Sequence, residues 1–541
     1  MKESQTTILS RVGDFMAEFF DKSLAHYVLL QPVKLFGHPN SKDKIDVLKS
    51  LKPCADLTDI EYVYPLVFEK DEDLAWTAAQ IVSEVMDKVR GKQWNTVYDR
   101  VKYTRINIEQ MGILQKFSPE VYVHLIGVAS LNYDGYVREK ALVLASALWD
   151  SRMVPYILLR LSDWVLPVRN LALHILRSNF TSENFEAFIE NFYLVDKLRN
   201  VLRVDLKSIM EEIADYLKED TKLDKLMSRL KNPNVKLRLF CYRLLEDRIA
   251  VCDDIINSAI KDKSFEIRMW LVNAIKNLDE ERRDGVIEKL LQDKSAKVKT
   301  AVLRNYGNIV RLKFAERLIS LVSDDSASVR DDARFICKKH SIITDFPEFY
   351  RQQIRINPVP GALIGLGETG NKMDYDIAYK FINHEEPKVK VAAMTALWYL
   401  SKDDAVKHVI DSLDSDIPKI KKTAKKLLRN SKMPTVLFAM KDKLKDENDD
   451  IRLFALESIF GYGGWHALEA ILFAIAKDKG KVMEKAMELL NKWLIKAANI
   501  YYKPDEATGK RILSLCDDIK KDNILLPGTL KKLSFHVETR V

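Results

Sequence analysis

The chain has 541 residues, of which 47% are hydrophobic and 30% charged, and its formal net charge is +8. This apolar content suffices for a continuous core and excludes a largely disordered chain. The positive excess is small for this length, so it permits an acidic partner without the strong basic bias of a dedicated nucleic-acid binder. Gly and Pro are scarce, at 18 and 16, which favours long helices over turn-rich β structure.

The five cysteines lie far apart and form no Cys-x-x-Cys pair. This pattern argues against a disulfide framework and a structural zinc site, and it is typical of a reducing cytosol. The N-terminal segment MKESQTTILSRVGDFMAEFF carries charges within its apolar periodicity, which predicts an amphipathic helix rather than a signal peptide. The longest apolar runs, such as residues 141–149, are too short to span a bilayer. We therefore expect a soluble, cytoplasmic protein without a membrane span.

Residues 1–43, interrupted by QPVKLFGHPNSKDK, are predicted to form an N-terminal helical cap. From residue 44 to 499 one phrase recurs: an acidic or small turn, an aliphatic residue, a basic residue, and a helix rich in Ala and Leu. The aliphatic anchors of this phrase are Val137, Val168, Val235, Ile267, Val298, Val329, Val389, Ile420, Ile451 and Val482. They recur about every 31 residues, and degenerate anchors near Val201 and at Val359 fill the two longer gaps.

Each repeat is predicted to be a hairpin of two helices. Apolar or small residues follow the anchor at helical spacing, and the segment before the anchor has the same periodicity. One hairpin cannot bury its apolar face alone, so about 14 to 16 hairpins are expected to stack into an all-α solenoid, a superhelix. Residues 500–541 leave the period and are predicted to form a C-terminal cap.

These repeats resemble the HEAT-repeat family, in particular its short regular bacterial type, which is also seen in phycobilin-lyase-like subunits. The tract ALIGLGETGNKMDYDIAYKFINHEEPKVKVAAMTAL, residues 362–397, is the part most similar to that type. The resemblance covers roughly residues 44–500 and implies an armadillo-type α-solenoid. It does not imply one function, since the family includes scaffolds, adaptors, lyase subunits and a few DNA-repair enzymes.

Two motifs have structural alternatives to a ligand site. Gly365-x-Gly367-x-x-Gly370 would need to lie between a strand and a helix to bind a dinucleotide, and here it is predicted to serve a helix end and the following turn. A basic residue follows most anchors, as in Arg138, Arg169 and Arg330. We interpret these cations as a polar ladder with the aspartates that precede the anchors, and a phosphate-binding stripe is the alternative.

The nine histidines show no metal-binding spacing, and no nucleophile–histidine pair can be identified. We expect no metal, cofactor or catalytic residue, which favours a non-enzyme.

The candidate binding surface lies on the second helices of three consecutive repeats, at positions +2, +6 and +9 from the anchor, which should point away from the core. They carry an apolar–basic–apolar pattern that is typical of protein-binding hot spots. The predicted binding residues are Val391, Trp398, Lys422, Lys426, Arg429, Leu453 and Phe460. Packed aromatics and a solvated lysine face are the alternative interpretation.

The leading functional hypothesis is a non-catalytic protein-binding scaffold or adaptor, whose concave groove takes a partner segment with acidic and apolar residues. The first alternative is a nucleic-acid-binding HEAT protein, similar to alkylpurine glycosylases, in which Trp164 with Asp163 and Arg169, or Trp398 with Arg429, would hold DNA. The second is a lyase-type subunit. The oligomeric state stays open.

Overall fold

The computed structural model describes residues 22–31, 39–104, 106, 108–202, 204–429, 431–522, 524–525 and 527–540. Within these ranges all regular structure is helical and no strand is present. None of the helices in these ranges has the length and apolar character needed to cross a membrane. The predicted N-terminal cap falls partly on residues 1–21 and 32–38, which lie outside the described residues.

The chain divides into two compact units, with the boundary between Glu280 and Glu281. The α-helices of the first unit are α1 Lys22–Leu30, α2 Ser41–Leu51, α3 Ile60–Val63, α4 Glu72–Met86, α5 Gln93–Val101, α6 Pro119–Ala129, α7 Gly135–Ala147, α8 Val154–Arg160, α9 Leu166–Ser178, α10 Phe185–Glu190, α11 Phe192–Leu198, α12 Lys207–Leu217, α13 Leu223–Ser228, α14 Val235–Leu244, α15 Asp253–Ile260 and α16 Phe265–Ala274.

The second unit continues the alternation of first and second helices. Its α-helices are α17 Glu280–Leu290, α18 Ala296–Lys313, α19 Ala315–Leu321, α20 Ala327–Lys339, α21 Phe346–Ile356, α22 Pro360–Thr369, α23 Tyr375–Tyr379, α24 Pro387–Leu400, α25 Lys402–Asp411, α26 Pro418–Leu428, α27 Pro434–Lys443, α28 Asp449–Tyr462, α29 Gly464–Lys477, α30 Gly480–Lys496, α31 Glu506–Lys521 and α32 Pro527–Arg540.

Short 3-10 helices extend or link these elements. They are Lys52–Cys54, Tyr64–Phe68, Ile108–Lys116, Ser151–Met153, Asp220–Lys222, Arg229–Lys231, Glu246–Arg248, Ile275–Asn277, Lys372–Asp374, Ser412–Asp414 and Ala497–Asn499.

The starts of the second helices follow from local sequence. Some begin after a polar N-cap, where the side chain of Asp134, Asn234 or Asn448 accepts a hydrogen bond from a backbone N–H of the first turn. Others begin with a proline at the first helical position, as in α24 and α26, where its fixed φ suits the helix and no hydrogen bond is lost. These caps place the anchor within the first turn of each second helix.

The anchors confirm the all-α solenoid architecture predicted from the repeat. All of them are buried except Val235, which is only half-buried. Helix α14 begins at Val235, so the core position falls on Leu237, and Arg238 rather than Lys236 is its basic neighbour. The two-residue shift corrects the predicted register of this repeat. The residue boundaries predicted for the two caps and for the repeat region remain predictions.

Helix α22 departs from the period. It runs only from Pro360 to Thr369, with the degenerate anchor Val359 as its N-cap, so it is shorter than α20 or α24. Gly365 and Gly367 lie inside this helix, and only Gly370 is at its end. The expectation that these glycines form a turn is therefore corrected for the first two. They lie where neighbouring helices approach closely: a Cβ at Gly365 would be 2.3 Å from Cζ of Tyr350.

Candidate binding surface

The basic residue that follows each anchor is held in most repeats by a carboxylate from the next repeat. Arg138 is 2% exposed, and its Nε and Nη2 donate to the two carboxylate oxygens of Asp163, both at 2.9 Å. Its Nη1 donates to the backbone carbonyls of Asn132 and Tyr133 at 2.9 and 2.7 Å. Since each nitrogen of this guanidinium donates at least one hydrogen bond and Asp163 supplies the opposite charge, the buried charge is compensated.

The same arrangement recurs along the chain. The paired residues are Arg238 with Asp262, Lys299 with Asp324, Arg330 with Glu368, and Arg452 with Asp478. The carboxylate comes from the following repeat, whereas the aspartate before the anchor contributes its backbone carbonyl, as Asp324 does to Arg330 at 2.7 Å. These cations therefore form the predicted inter-repeat ladder, with this correction to its pairing, and are not available as a phosphate-binding stripe.

The ladder is interrupted at α24 and α26. Within the described residues, no carboxylate lies within 4.0 Å of the ammonium groups of Lys390 and Lys421, which occupy the ladder positions there. Ser415 stands at the position that would supply the acid for Lys390. Asp446, at the corresponding position for Lys421, lies instead 3.1 Å from the ammonium of Lys443. Positive charge is thus left uncompensated in this part of the second unit.

Helix α26 displays three of the predicted binding residues on its outer face. Ile420, Ala424 and Leu428 bury one side of the helix, so Lys422 and Lys426 point to solvent, and Arg429 follows its last turn, also exposed. In the part of the chain that the structure describes, none of these three cations has a carboxylate within 4.0 Å.

A fourth cation of α26 links it to the next second helix. The ammonium of Lys425 donates to the backbone carbonyl of Asp450 at 3.0 Å and lies 5.5 Å from the centroid of the Phe454 ring. Burial lowers the pKa of Lys425, and the nearby cations Lys421 and Arg429 lower it further against the opposing effect of Asp450. Lys425 thus joins α26 to α28 through a backbone hydrogen bond.

The expected exposed row of aromatic residues is absent. Trp398 is 5% exposed and belongs to the hydrophobic core of the second unit, which corrects its placement on the surface. The reason is that α24 is packed by α22, α25 and α26, so that residues on most of its sides are buried. Phe460 is half-buried, with the ammonium of Lys496 at 5.9 Å from its ring centroid.

The remaining predicted residues form the apolar margin of the cationic face. Val391 of α24 and Leu453 of α28 are half-buried and pack against the core cluster. The aromatic side chain that α24 does expose is Tyr399, at 52%. The structure thus leaves the three cations accessible and flanks them with partly buried apolar side chains.

Among the exposed aromatics of the second helices that were not singled out from the sequence, Phe335 occupies an outward repeat position. Phe335 of α20 is 67% exposed and stands at +6 from Val329, the position that Lys426 holds relative to Ile420. The repeat pattern contains a signal for it, because +6 is an exposed position in several other second helices, as at Arg304, Lys426 and Glu457.

The residues of the alternative functions are arranged differently from what those functions require. Asp163 is buried and held by Arg138 and Arg160, so its carboxylate is not accessible to a substrate, although the neighbouring Trp164 is exposed. The pair Trp398 and Arg429 is divided between core and surface. The glycine motif has no strand beside it within the described ranges. These ranges also hold no group of three or more His, Cys, Asp or Glu side chains suited to a metal ion.

No protein-family model and no curated protein matches the chain. Among solved structures, Kap95p binding RanGDP is 12% identical, with 96% of this chain and 80% of that chain covered and a TM-score of 0.31. Kap121p bound to RanGTP is 14% identical, with 95% and 53% covered and a TM-score of 0.33, so this chain spans about half of its length. YIBA from E. coli is 18% identical, with 54% and 98% covered and a TM-score of 0.24. At these identities the likeness concerns the helical-repeat fold alone.

Proposed function

We propose that this chain is a non-catalytic scaffold that binds an acidic segment of a partner protein on the second helices α24, α26 and α28. The observation that carries the proposal is that Lys422, Lys426 and Arg429 are exposed on one helix face and, among the described residues, lack a carboxylate partner. In five other repeats the ladder cation is paired with a carboxylate, as described for Arg138, Arg238, Lys299, Arg330 and Arg452. A face with uncompensated positive charge lowers its free energy by binding negative charge.

The flanking side chains add an apolar component. Val391, Leu453 and Phe460 are half-buried at the margin of the cationic face, where an apolar partner side chain would remove their remaining area from water. Trp398 supports this surface from the core and does not contact the partner in this proposal. Since stacked second helices line the groove of a solenoid, the segment would run along that groove.

Charge distribution favours an acidic peptide over nucleic acid. At the +6 position, Lys426 of α26 is followed by Glu457 of α28 and Glu488 of α30, and both glutamates are exposed. A nucleic-acid backbone carries a closely spaced series of charges and needs an extended basic surface. The basic surface here is confined to one helix and its immediate surroundings, which suits a short acidic segment.

The test is charge reversal with a matched control. The α26 variant is Lys422→Glu/Lys426→Glu/Arg429→Glu. The control variant is Lys402→Glu/Lys407→Glu/Lys445→Glu, whose exposed lysines lie on or directly after the first helices α25 and α27. Both variants change the net charge by the same amount. The probe is a fluorescent peptide of alternating Glu and Leu, and its Gln-for-Glu version is the reference peptide. Binding is measured by fluorescence anisotropy at rising salt concentration.

We expect the wild type and the control variant to bind the Glu peptide with an affinity that falls as salt rises, because the contacts are electrostatic. The α26 variant and the Gln peptide should lose most of this binding. Equal affinity of the α26 variant and the wild type would exclude this surface. Gel-shift titrations with single- and double-stranded oligonucleotides complete the test, since tighter binding of these at low salt would indicate a nucleic-acid interface instead.

A further inference from the structure

A cleft lies between the second helices α18 and α20 of the second unit. Its volume is about 670 Å³. Helix α18 is kinked at Tyr306, where φ is −125° and ψ is 20°, next to Gly307. The walls are residues 303–309 of α18 and, from α20 and its end, Asp332, Phe335, Ile336, Lys339 and His340. The cleft is therefore larger than a single side chain and open to solvent along two helices.

One wall of the cleft is apolar, and its Phe335 side chain is not covered by other residues of the same repeat. Phe335 is 67% exposed there, and Ile336 next to it is buried. A Cβ at Gly307 would lie 3.1 Å from Cδ1 of Ile336, so the backbone of α18 lies close to this wall and contributes no side chain at that point. The exposed ring of Phe335 beside the cleft offers an apolar surface to a ligand side chain.

One end of the cleft is cationic. Arg304 and Asp332 neutralise each other at 2.9 Å, whereas Lys339 is exposed and has no carboxylate within 4.0 Å in the described part of the chain. Arg311, which is outside the cleft wall, has its Nε buried without a hydrogen-bond partner in the described part of the chain. Both Arg311 and Lys339 lie close enough to His340 to lower its pKa, after the larger effect of its burial. Asp332, the acidic residue of the wall, pairs with Arg304 and therefore does not compensate the charge of Lys339.

The cleft and the proposed α26 surface occupy equivalent repeat positions. Arg304 and Phe335 stand at +6 from Val298 and Val329, as Lys426 does from Ile420. All of these helices belong to the same compact unit. An extended segment that follows successive second helices would therefore meet the cleft and the cationic face in turn.

We propose that the cleft binds one aromatic side chain of the partner segment, with a neighbouring acidic residue of that segment against Lys339. This inference rests on the proposed function, because it assigns the aromatic residue to the same acidic partner. The mixed wall favours a peptide over nucleic acid. Phe335 and Ile336 offer apolar contact, and Lys339 adds one cation that is unpaired within the described residues, whereas a phosphate series needs an extended basic surface.

The experiment uses the full chain and a pair of short Glu-rich fluorescent peptides that differ only in one central Phe or Ser. Affinities are measured for the wild type, Phe335→Ala, Lys339→Glu and the α26 charge-reversal variant. Phe438→Ala is the control, because Phe438 is an equally exposed aromatic on the first helix α27. A third peptide replaces the Phe with a benzophenone photo-cross-linker, and the attachment site is mapped by mass spectrometry.

We expect the Phe peptide to bind the wild type about tenfold more tightly than the Ser peptide, since burial of one aromatic ring contributes that much. Phe335→Ala should remove this difference, and Lys339→Glu should weaken the Phe peptide several-fold. Phe438→Ala should leave the affinities for both peptides unchanged. The cross-link should fall within residues 303–309 or 332–340. The α26 variant should weaken both peptides and leave the ratio between them unchanged.

The outcomes separate the two proposals. Equal affinity of the wild type for both peptides, with binding that still depends on α26, would overturn the cleft and leave the proposed function standing. Cross-links confined to α26 would likewise overturn the cleft proposal and leave the proposed function standing. Absence of any peptide binding would overturn both proposals. Oligonucleotide binding that Phe335→Ala abolishes, without peptide binding, would assign the cleft to nucleic acid and also overturn the inference.

Discussion

Gly367 of α22 lies so close to Ala396 of α24 that a Cβ at Gly367 would be 2.6 Å from the Cα of Ala396. The missing side chain allows the two second helices to pack backbone to backbone. Trp398, two residues after Ala396 and therefore on another side of α24, is also in the core rather than on the binding surface. The close approach of α22 on one side thus adds to the packing that encloses α24.

The glycines of α22 should be intolerant of even one added methyl group. Gly365→Ala would place a Cβ 2.3 Å from Cζ of the buried Tyr350, and such overpacking costs about 1–3 kcal/mol. Gly285→Ala is the matched control, since Gly285 lies within helix α17 and a Cβ there has no neighbour within 4 Å. That substitution should stabilise the protein by about 0.5–1 kcal/mol through helix propensity. Urea denaturation of both variants measures the two changes in unfolding free energy, which should have opposite signs.

Trp398→Ala should act on stability. Removal of this buried ring should lower the free energy of unfolding by about 3–5 kcal/mol, because it leaves a cavity in the core. Tyr399→Ala, which truncates the exposed aromatic next to it, should change stability by less than about 0.5 kcal/mol. The check is the shift in the urea midpoint of each variant. A Trp398→Ala protein that unfolds like the wild type would contradict the packing described for α24.

The ladder makes Asp163→Ala a severe substitution. It leaves the guanidinium groups of Arg138 and Arg160 buried without their carboxylate, which should cost about 3–5 kcal/mol. Asp99→Ala removes the exposed partner of Lys102, also held at 2.9 Å, and should cost less than about 1 kcal/mol. Both are measured by urea unfolding at pH 7. A similarly small loss of unfolding free energy in the two variants would show that the ladder contributes little to stability.

His124 should make the protein less stable in mild acid. The pKa of His124 is lowered from 6.5 to about 4, mainly by burial and secondly by Arg152, against the opposing effects of Asp87 and Asp150. The unfolded chain therefore binds a proton that the folded chain does not between these two values. The stabilisation is complete above pH 6.5 and is lost as the pH falls toward 4.

The measurement is the difference in unfolding free energy between pH 7 and pH 4.5. The wild type should lose about 2 kcal/mol more than His124→Gln, which carries no titrating ring at this position. His174→Gln, at an exposed histidine of α9, should behave as the wild type does. An identical pH dependence in wild type and His124→Gln would show that His124 is protonated in the folded state.

The sequence by itself determined the repeat, because a buried anchor once per hairpin leaves a period that a linear pattern displays. The burial of Val298, Val329 and Ile420 followed from that pattern alone. The exposure of Lys422, Lys426 and Arg429 could also be predicted, since an offset from the anchor determines on which side of its own helix a residue lies. The same offset also predicts the exposure of Phe335, at +6 from Val329.

Only the tertiary structure decided what covers each helix from outside. Trp398 and Arg429 share the +9 position, yet one is buried and the other is exposed. The difference arises because α24 is packed by α22, α25 and α26, so that most of its sides are buried, whereas α26 keeps an open face. Likewise, the anchor pattern predicted a cation beside Asp163 but not that one of its two arginines, Arg138, would come from the preceding repeat. Helical periodicity describes one helix at a time, and the distance between helices depends on side chains remote in sequence.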